Sequence, residues 1–401
     1  MPRIVYVTAR LPYGDGEPFV ATEVRALERA GWDVTVVPVR AGGEIVHRNA
    51  ASLETEAAPL VSASIAGRAV SEAARKPRAT AAVLAALGRG RNASVLAKNA
   101  AVFPKGAWLA SLVERTGAMH IHAHWAGTTA TMAMAASRLT RVPWSLTAHR
   151  WDIAENNLLR VKAREASFFR VISEHGAREL EEVVGVQGWS PWVLHMGVEL
   201  PPTSAPVVRR TPLRVLVAAR LVEKKGHAHL IEAVSILRSR GSAIHVDLAG
   251  GGPLEADLRR RVSDSGLAGD VEFLGTVSHD ALLARVAAGD WDVAALPSVV
   301  TASGELEGIP VSLVEAMAHG LPALATATGG IPELFDEGAG LLVPPADPRA
   351  LADALEQLVR DQDLRARLGA AGRLRIEEQY DVDRVAEQLG AHFAETLVRQ
   401  E

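Results

Sequence analysis

Short runs of β-branched and apolar residues alternate with longer segments of helical spacing along almost the whole chain. This alternation is typical of βαβ units, which build parallel sheets. The runs predict strands at residues 3–8, 33–39, 119–124, 144–148, 169–173 and 192–195, and again at 213–219, 245–249, 271–274, 293–296, 323–325 and 340–343. The predicted fold class is therefore α/β.

Between the two series of strands lies a proline-rich stretch, residues 201–206, that can continue neither a helix nor a central strand. A chain of 401 residues is long enough for two cores. We therefore expect two Rossmann-like domains with doubly wound parallel sheets, residues 1–203 and 204–381, and a last helix in residues 382–401 that packs back on the first. Such sheets bind ligands at the carboxyl ends of their strands, so we expect the domains to face each other across a cleft that holds the site.

The composition removes several kinds of chemistry. The chain has no cysteine, which excludes disulfides, thiolate metal sites and a cysteine nucleophile. A net charge of −4 with 22% charged residues gives no sign of nucleic-acid binding. The first residues read as a strand and not as a signal peptide, and no apolar run has the roughly 18 residues of a membrane span. We expect a cytoplasmic protein.

One segment departs from the overall charge balance. Residues 68–105 contain eight lysines and arginines and a single acid, Glu72, with apolar residues between them. One interpretation is a solvated helical hairpin whose apolar side belongs to the core. The other is a basic amphipathic surface that contacts a phosphorylated acceptor or anionic lipid, which would bring the protein to the inner face of the plasma membrane.

The strongest candidate for chemistry is the nonamer Glu-Gly-Ile-Pro-Val-Ser-Leu-Val-Glu at residues 307–315. Proline suits the first position of a helix, so a helix beginning at Pro310 places Glu307 before it and Glu315 in its second turn. The free N–H groups at such a helix start form an anion site that suits a diphosphate. The N–H groups concerned are those of Ile309, Val311 and Ser312.

Three predicted strand ends in the second half carry further candidates. Arg220 and Lys225 follow the strand at residues 213–219, and paired cations suit a pyrophosphate whose charge grows as a bond to it breaks. Glycines after the next strand, Gly250 and Gly252, allow a sharp turn and close approach of the backbone to a ligand. The third strand end is followed by Thr276 and Val277.

Together these motifs resemble the retaining GT-B glycosyltransferases of group 1, which carry an E-x₇-E signature, although Ala219 stands where the family usually has glycine. In that family the residue matching Glu307 contacts the donor sugar or supports charge at the anomeric carbon, and the residue matching Glu315 binds the ribose hydroxyls. The resemblance implies that Arg220 and Lys225 bind the diphosphate of the donor. The turn of Gly250 and Gly252 would lie beside the nucleotide, and backbone groups of Thr276 and Val277 would read the base.

In the first half, His149 follows an apolar strand and matches the histidine of the family that contacts the donor sugar. Residues 14–23 and 121–125 resemble the subgroup that includes colanic-acid and other exopolysaccharide transferases. Within that loop and helix start, Gly16, Glu17 and Glu23 are candidates for acceptor binding. The two glutamates equally suit a helix N-terminus, and both interpretations stay open.

Two patterns raise the question of a metal. His120, His122 and His124 alternate along a strand and share one face, but the sequence shows no nearby carboxylate to complete a ligand set. The triplets at residues 290–292 and 381–383 imitate Asp-x-Asp, which arises easily by chance. Because cations already serve the diphosphate, we predict no metal and no essential cofactor.

The resemblance implies a hexosyl transfer with retention from a nucleotide-diphosphate sugar, UDP-linked first and GDP-linked second, to a hydroxyl of a carbohydrate, lipid-linked or small-molecule acceptor. Exopolysaccharide, lipid-linked glycan and natural-product biosynthesis are the settings expected. The alternatives are a nucleotide-sugar epimerase of GT-B-like fold and a non-catalytic protein that binds a nucleotide or sugar.

Overall fold

The computed structural model describes residues 1–14, 17–205 and 210–398, which form two compact units. Unit 1 comprises Met1–Gly197 and Val382–Glu401, and unit 2 comprises Val198–Asp381. The strands of unit 1 are β1 (Arg3–Thr8), β2 (Asp33–Pro38), β3 (His120–His124), β4 (Trp144–Ala148), β5 (Phe169–Val171) and β6 (Trp192–Val193). Those of unit 2 are β7 (Leu213–Ala218), β8 (Ile244–Ala249), β9 (Val271–Gly275), β10 (Val293–Leu296), β11 (Ala323–Thr326) and β12 (Leu341–Val343).

Each unit contains one parallel sheet of six strands, in the orders β2-β1-β3-β4-β5-β6 and β12-β11-β10-β7-β8-β9. In both sheets the chain first moves outward in one direction and then returns to the other side of its first strand. The order therefore reverses between β1 and β3 in unit 1, and between β7 and β10 in unit 2. A crevice forms at the carboxyl ends of the strands at such a point, which marks where ligands are expected.

Helices connect the strands, as the sequence pattern predicts. They are α1 (Pro18–Arg29), α2 (Ala63–Arg75), α3 (Pro77–Leu87), α4 (Ala93–Thr116), α5 (Thr128–Thr140), α6 (Arg150–Glu155), α7 (Leu159–Glu165), α8 (Glu174–Val184), α9 (His227–Ser239), α10 (Glu255–Asp264), α11 (His279–Ala287), α12 (Val311–Ala318), α13 (Ile331–Leu334), α14 (Pro348–Arg360), α15 (Gln362–Gln379) and α16 (Val382–Val398). Short 3₁₀ turns occupy Arg48–Ala50, Glu223–Lys225 and Asp336–Gly338.

The last helix, α16, belongs to unit 1, where it packs against α1. Its apolar stripe, which includes Val385, Leu389 and Phe393, is buried in the same core cluster as Ile4 of β1. The helix is amphipathic, so this packing removes its apolar face from water. The division between the units falls at Gly197, somewhat before the proline-rich stretch; residues 201–205 form neither helix nor strand, and Pro206 lies outside the described residues.

The basic segment, residues 68–105, spans parts of α2 to α4, and its apolar residues divide into two groups. Val83, Leu87 and Val95, with Ile65 just before the segment, are buried in the core. A second group stays exposed and is formed by Val70, Leu84 and Leu96. The segment is therefore partly core packing and partly an apolar surface among basic side chains.

The interpretation of the segment as a basic surface is wrong for Lys105. Lys105 is fully buried, and its ammonium donates hydrogen bonds to the carbonyl oxygens of Pro38 (2.6 Å), Val39 (2.9 Å) and Ala58. Burial lowers the pKa of Lys105 to about 8. This lysine ties α4 to the end of β2 and is not available to a lipid surface.

Candidate active site

At the reversal point of the second sheet, the loop after β7 is held against the loop after β10. The Val299 N–H donates to the Lys224 carbonyl at 2.8 Å. Gly226 has φ +68° and packs so tightly on the carbonyl oxygen of Pro297 that a Cβ atom would overlap it. Only glycine meets both demands. These contacts fix the short 3₁₀ turn that carries Lys225 at the carboxyl edge of the sheet.

Two of the predicted catalytic residues meet there. The Lys225 Nζ lies 2.5 Å from Glu307 Oε2, while Lys224 Nζ is 4.0 Å from Oε1 of the same carboxylate. The side chains of Lys225 and Glu307 are 14% and 10% exposed, so little water screens their attraction. Gly329 packs directly on the Glu307 carbonyl and braces its backbone. The sequence motifs placed these two residues near the donor, but not in contact with each other.

The helix after Glu307 begins one residue later than predicted. Pro310 is the N-cap with extended backbone, and α12 starts at Val311. Among the described residues, no protein acceptor is recorded for the N–H groups of Ile309, Val311 and Ser312, which leaves all three for a ligand. The later helix start does not change the prediction that these N–H groups form an anion site, because the first N–H groups of a helix have no partner within it.

Glu315 lies in the second turn of α12, as predicted, and pairs with a histidine that the sequence analysis missed. The His279 Nε2 is 2.6 Å from Glu315 Oε1. This hydrogen bond, opposed in part by burial, raises the pKa of His279. The signal was present in the sequence, since His279 closely follows Thr276 and Val277 in the loop after β9.

The glycines after β8 shape the site by holding protein backbone. A Cβ atom at Gly250 would overlap the Ala219 carbonyl, and one at Gly252 would overlap the Leu221 carbonyl. These glycines therefore clamp the two residues that flank Arg220, a role that the predicted approach to a ligand did not include. The side chain of Arg220 is exposed, and within the described residues it forms no hydrogen bond or ion pair.

The loop after β9 completes this edge of the sheet. Thr276 is exposed and Val277 is half-buried, and both follow Gly275, whose carbonyl accepts a hydrogen bond of 2.8 Å from the Gly250 N–H. Backbone contacts thus join the loop after β7 to the loop after β8, and the loop after β8 to the loop after β9. The predicted base-reading residues stand at the same edge as Arg220.

In the first sheet, His149 ends a chain of buried polar groups. Its Nε2 is 2.7 Å from His124 Nε2, and His124 Nδ1 lies 3.3 Å from the Tyr6 hydroxyl and 3.7 Å from Glu23 Oε1. Tyr6 donates a hydrogen bond to Glu23. Arg170 closes the chain with Nη1 at 2.5 Å from Glu23 Oε2.

This chain can fix the tautomer of His149. With His124 neutral, its Nδ1 proton faces the two oxygens, so its Nε2 accepts the proton of His149 Nε2. The Nδ1 of His149 then keeps a lone pair. Burial lowers the pKa of His149 well below its ordinary value, which favours this neutral form.

Glu23 is unsuited to the predicted contact with an acceptor. Glu23 has no exposed surface, and Tyr6, His124 and Arg170 surround its carboxylate. Burial alone would raise the pKa of Glu23, but the Arg170 charge and these hydrogen bonds outweigh it, so the carboxylate stays ionised. Its place is inside the hydrogen-bonded chain behind His149.

Glu17 is also occupied by the protein. Its carboxylate accepts hydrogen bonds from the backbone N–H groups of Ala9 (3.2 Å), Arg10 (2.7 Å) and Leu11 (2.7 Å), and from Trp125 Nε1 (2.5 Å). Glu17 therefore organises the loop between β1 and α1. Its contacts support this structural role and not the predicted binding of an acceptor. Gly16 lies outside the described residues.

The other two histidines of β3 are buried and bonded to hydroxyl groups. His120 Nε2 and His122 Nδ1 lie 2.7 and 2.8 Å from Ser145 Oγ, and His122 Nε2 is 3.0 Å from Thr147 Oγ1. One premise of the sequence argument about metal was wrong, because Glu23 does bring a carboxylate to His124. Arg170 already neutralises that carboxylate.

Comparisons with known proteins agree with this architecture. Residues 205–375 match the model of the family described as glycosyl transferases group 1. The putative colanic acid biosynthesis glycosyltransferase WcaL of Escherichia coli is 38% identical over 207 residues, 50% of each chain. A GDP-mannose-dependent α-(1-6)-phosphatidylinositol monomannoside mannosyltransferase of Mycobacterium tuberculosis is 35% identical over 177 residues, 44% of this chain and 46% of that one.

A solved structure resembles the whole chain. HepE of Anabaena, in complex with UDP, superposes with a TM-score of 0.70 and 16% identity, over 98% of this chain and 100% of that one. At this identity the likeness concerns the fold. It confirms the predicted fold class, α/β with two doubly wound parallel sheets of the GT-B kind.

Residues 205–375, most of unit 2, therefore resemble the group 1 family of glycosyl transferases, as the sequence motifs indicated. The chain spans about half of the length of the curated relatives that it matches. Within the described residues, no helix combines the length and the apolar character needed to span a bilayer.

Proposed function

We propose that the protein is a metal-independent glycosyltransferase that moves a hexosyl group from a nucleotide-diphosphate sugar to a hydroxyl acceptor with retention of anomeric configuration. The proposal rests mainly on the carboxyl edge of the second sheet, where the Lys225–Glu307 pair adjoins the open N–H groups of α12. Exopolysaccharide or glycolipid biosynthesis is the proposed setting, because relatives of the matched region carry those names.

In the proposed mechanism, unit 2 stabilises the departing nucleotide. Arg220, Lys225 and the N–H groups at the start of α12 bind the diphosphate, whose negative charge grows as the bond to the sugar breaks. The Glu307 carboxylate supports the positive charge that develops at the anomeric carbon. The acceptor oxygen attacks from the leaving-group side, the C–O bond to phosphate breaks, and the acceptor proton passes to the departing phosphate.

The donor is tested first by nucleotide binding. We expect UDP or GDP, in a panel with ADP and dTDP, to raise the unfolding temperature and to bind in calorimetry with EDTA present. Glu315→Ala should weaken binding about 10–100-fold, because it removes a charged hydrogen bond to the ribose that is worth about 1.5–3 kcal/mol. Asp353→Ala, at an exposed carboxylate on α14, serves as the control. No binding by any nucleotide to folded protein would contradict the proposal.

Retention is tested separately with the donor that this panel identifies. In the absence of an acceptor, slow transfer to water releases the sugar, and NMR can record the configuration of the first-formed anomer. We expect the configuration of the donor to be kept. Inversion would rule out the same-side mechanism and leave the glycosyltransferase assignment in place.

We further propose that the basic segment, residues 68–105, contacts anionic membrane. Val70 is 70% exposed and Leu84 is 50% exposed. Nearby Arg78, Arg89 and Arg91 are exposed, and within the described residues no carboxylate pairs with them. Apolar and basic groups together suit a lipid surface, and each cation near it contributes about 1 kcal/mol.

Replacing Arg78, Arg89 and Arg91 together by glutamine should lower partitioning onto phosphatidylserine-containing vesicles about 100-fold, since about 3 kcal/mol is lost. Sedimentation with vesicles measures this. The control replaces three exposed arginines of α10, Arg259, Arg260 and Arg261, which are paired with Glu255 or Asp257. Equal partitioning of both triple variants would contradict contact with anionic membrane through this segment. Wild-type protein that partitions onto neutral vesicles as strongly as onto phosphatidylserine-containing ones would contradict it as well.

A further inference from the structure

Three potential metal ligands lie together on one face of the second sheet. His245 and Asp247 are two residues apart on β8, and Glu272 on β9 is the register partner of Asp247. Side chains two apart on a strand, and opposite each other on neighbouring strands, share a face. One ligand atom from each residue lies within 4.8 Å of the others. The cluster sits on the amino-terminal side of Gly250 and Gly275, so it is separate from the candidate active site.

Asp247 is fully buried and only half satisfied. Its Oδ2 accepts hydrogen bonds from Arg214 at 2.5 Å and from Trp291 Nε1 at 2.6 Å. Its Oδ1 has no hydrogen-bond partner among the described residues, and points toward His245. Arg214 pairs with this carboxylate through Oδ2 alone, and an unsatisfied oxygen away from water is costly, so Oδ1 lacks a donor or a cation of its own.

His245 presents a nitrogen to that oxygen. Its Nδ1 lies 3.2 Å from the Gly269 carbonyl, which cannot donate, so Nδ1 carries the proton. In the neutral ring, Nε2 then bears a lone pair, and it faces Asp247 Oδ1 at 3.2 Å and Glu272 Oε2 at 3.6 Å. The three ligand atoms lie within 4.8 Å of one another, and electron-rich atoms this close repel one another unless a cation lies between them.

We propose that this point binds Zn²⁺, with His245 Nε2, Asp247 Oδ1 and Glu272 Oε2 as ligands. Bonds of about 2.0–2.2 Å in a tetrahedron require ligand atoms about 3.3–3.6 Å apart. The separations of 3.2 and 3.6 Å from Nε2 agree with that requirement. Imidazole nitrogen and carboxylate oxygen are both zinc ligands, and the carboxylates bring negative charge to the ion.

The surroundings have the supporting contacts of a metal site. Histidine ligands usually donate their second N–H to a carbonyl, as His245 does to Gly269, and ligating carboxylates are themselves hydrogen-bonded, as Asp247 is by Arg214 and Trp291. Three protein ligands leave the fourth position to water, because Glu272 lies at the exposed edge strand. The ion joins β9 to β8, so its role is to stabilise the edge of the sheet.

The test uses the full-length protein, freed of metal with EDTA and dialysed, and Zn²⁺ alone as the ligand. Competition with a chromogenic chelator measures affinity and stoichiometry, and thermal unfolding reports stabilisation. We expect one Zn²⁺ per chain and a higher unfolding temperature. His245→Ala and Glu272→Gln should each weaken binding at least about 10-fold. His229→Ala and Glu255→Gln, a histidine and an exposed paired carboxylate of the same unit, should leave it unchanged.

Glu272→Gln keeps the test decisive if His245→Ala fails to fold, because Glu272 is 57% exposed and its replacement removes little packing. Wild-type protein that binds no Zn²⁺ would overturn the proposal. Binding that both ligand variants retain at full affinity would also overturn it, since the ion would then lie elsewhere.

Discussion

Replacing Lys225 by alanine is expected to lower kcat/KM for sugar transfer about 10²–10³-fold, the usual cost of removing one group that stabilises transition-state charge. Lys225 is held at the reversal point of the second sheet by Gly226 and is paired with Glu307 at 2.5 Å. Its charge therefore lies where we propose that the diphosphate departs. Steady-state kinetics with the donor found by the binding panel would measure the effect.

Lys224 provides a matched control for this variant. It is the neighbouring lysine on the same short turn, but its Nζ is 4.0 Å from Glu307 and its side chain is 33% exposed, so solvent screens its charge. Lys224→Ala should change kcat/KM only a few-fold. If the two variants lose activity equally, the effect belongs to the total charge of the turn and not to the position of Lys225.

Replacing Arg170 by methionine is expected to destabilise unit 1 by about 3–5 kcal/mol, because it leaves the buried charge of Glu23 without its partner. Neither side chain has any exposed surface. Arg170 also donates to the carbonyls of Leu194 at 2.9 Å and His195 at 2.6 Å, and the variant loses both hydrogen bonds. Urea unfolding followed by circular dichroism would measure the change.

The double variant Glu23→Gln/Arg170→Met separates the ion pair from packing. It should lose less stability than the sum of the single variants, since the unpaired charge is gone. Arg29→Met, at the exposed pair between Arg29 and Asp383 in the same unit, should cost less than about 1 kcal/mol. A cost for Arg170→Met no greater than for Arg29→Met would show that the buried pair contributes little.

The free energy of unfolding at acidic pH should also depend on the Glu23–Arg170 pair. The pKa of Glu23 is below its ordinary 4.5 in the folded protein, so its contribution is present above that value and is lost as the pH falls below it. Glu23→Gln removes this contribution, and its stability should therefore fall less steeply between neutral pH and strongly acidic pH. This comparison uses the same urea measurements.

The sequence by itself determined the α/β fold class and the positions of the motifs that resemble donor-binding motifs. Strands such as β1 and β4 have the predicted bounds, because a short, largely apolar run is typical of a strand that is buried on both faces of a parallel sheet. The motif at residues 307–315 was locatable because its spacing and its proline mark a helix start. Helix ends were less certain, since Pro310 is equally compatible with the cap position and with the first turn.

Only the tertiary structure decided which side chains meet. Glu23 and Arg170 are far apart in sequence, and no local pattern shows that one helix and one strand would bury them together. The pairs Lys225–Glu307 and His279–Glu315, and the cluster of His245, Asp247 and Glu272, likewise join different elements. Local periodicity fixes which face of an element is apolar, whereas strand order fixes which polar groups become neighbours, and that order arises from packing over the whole sheet.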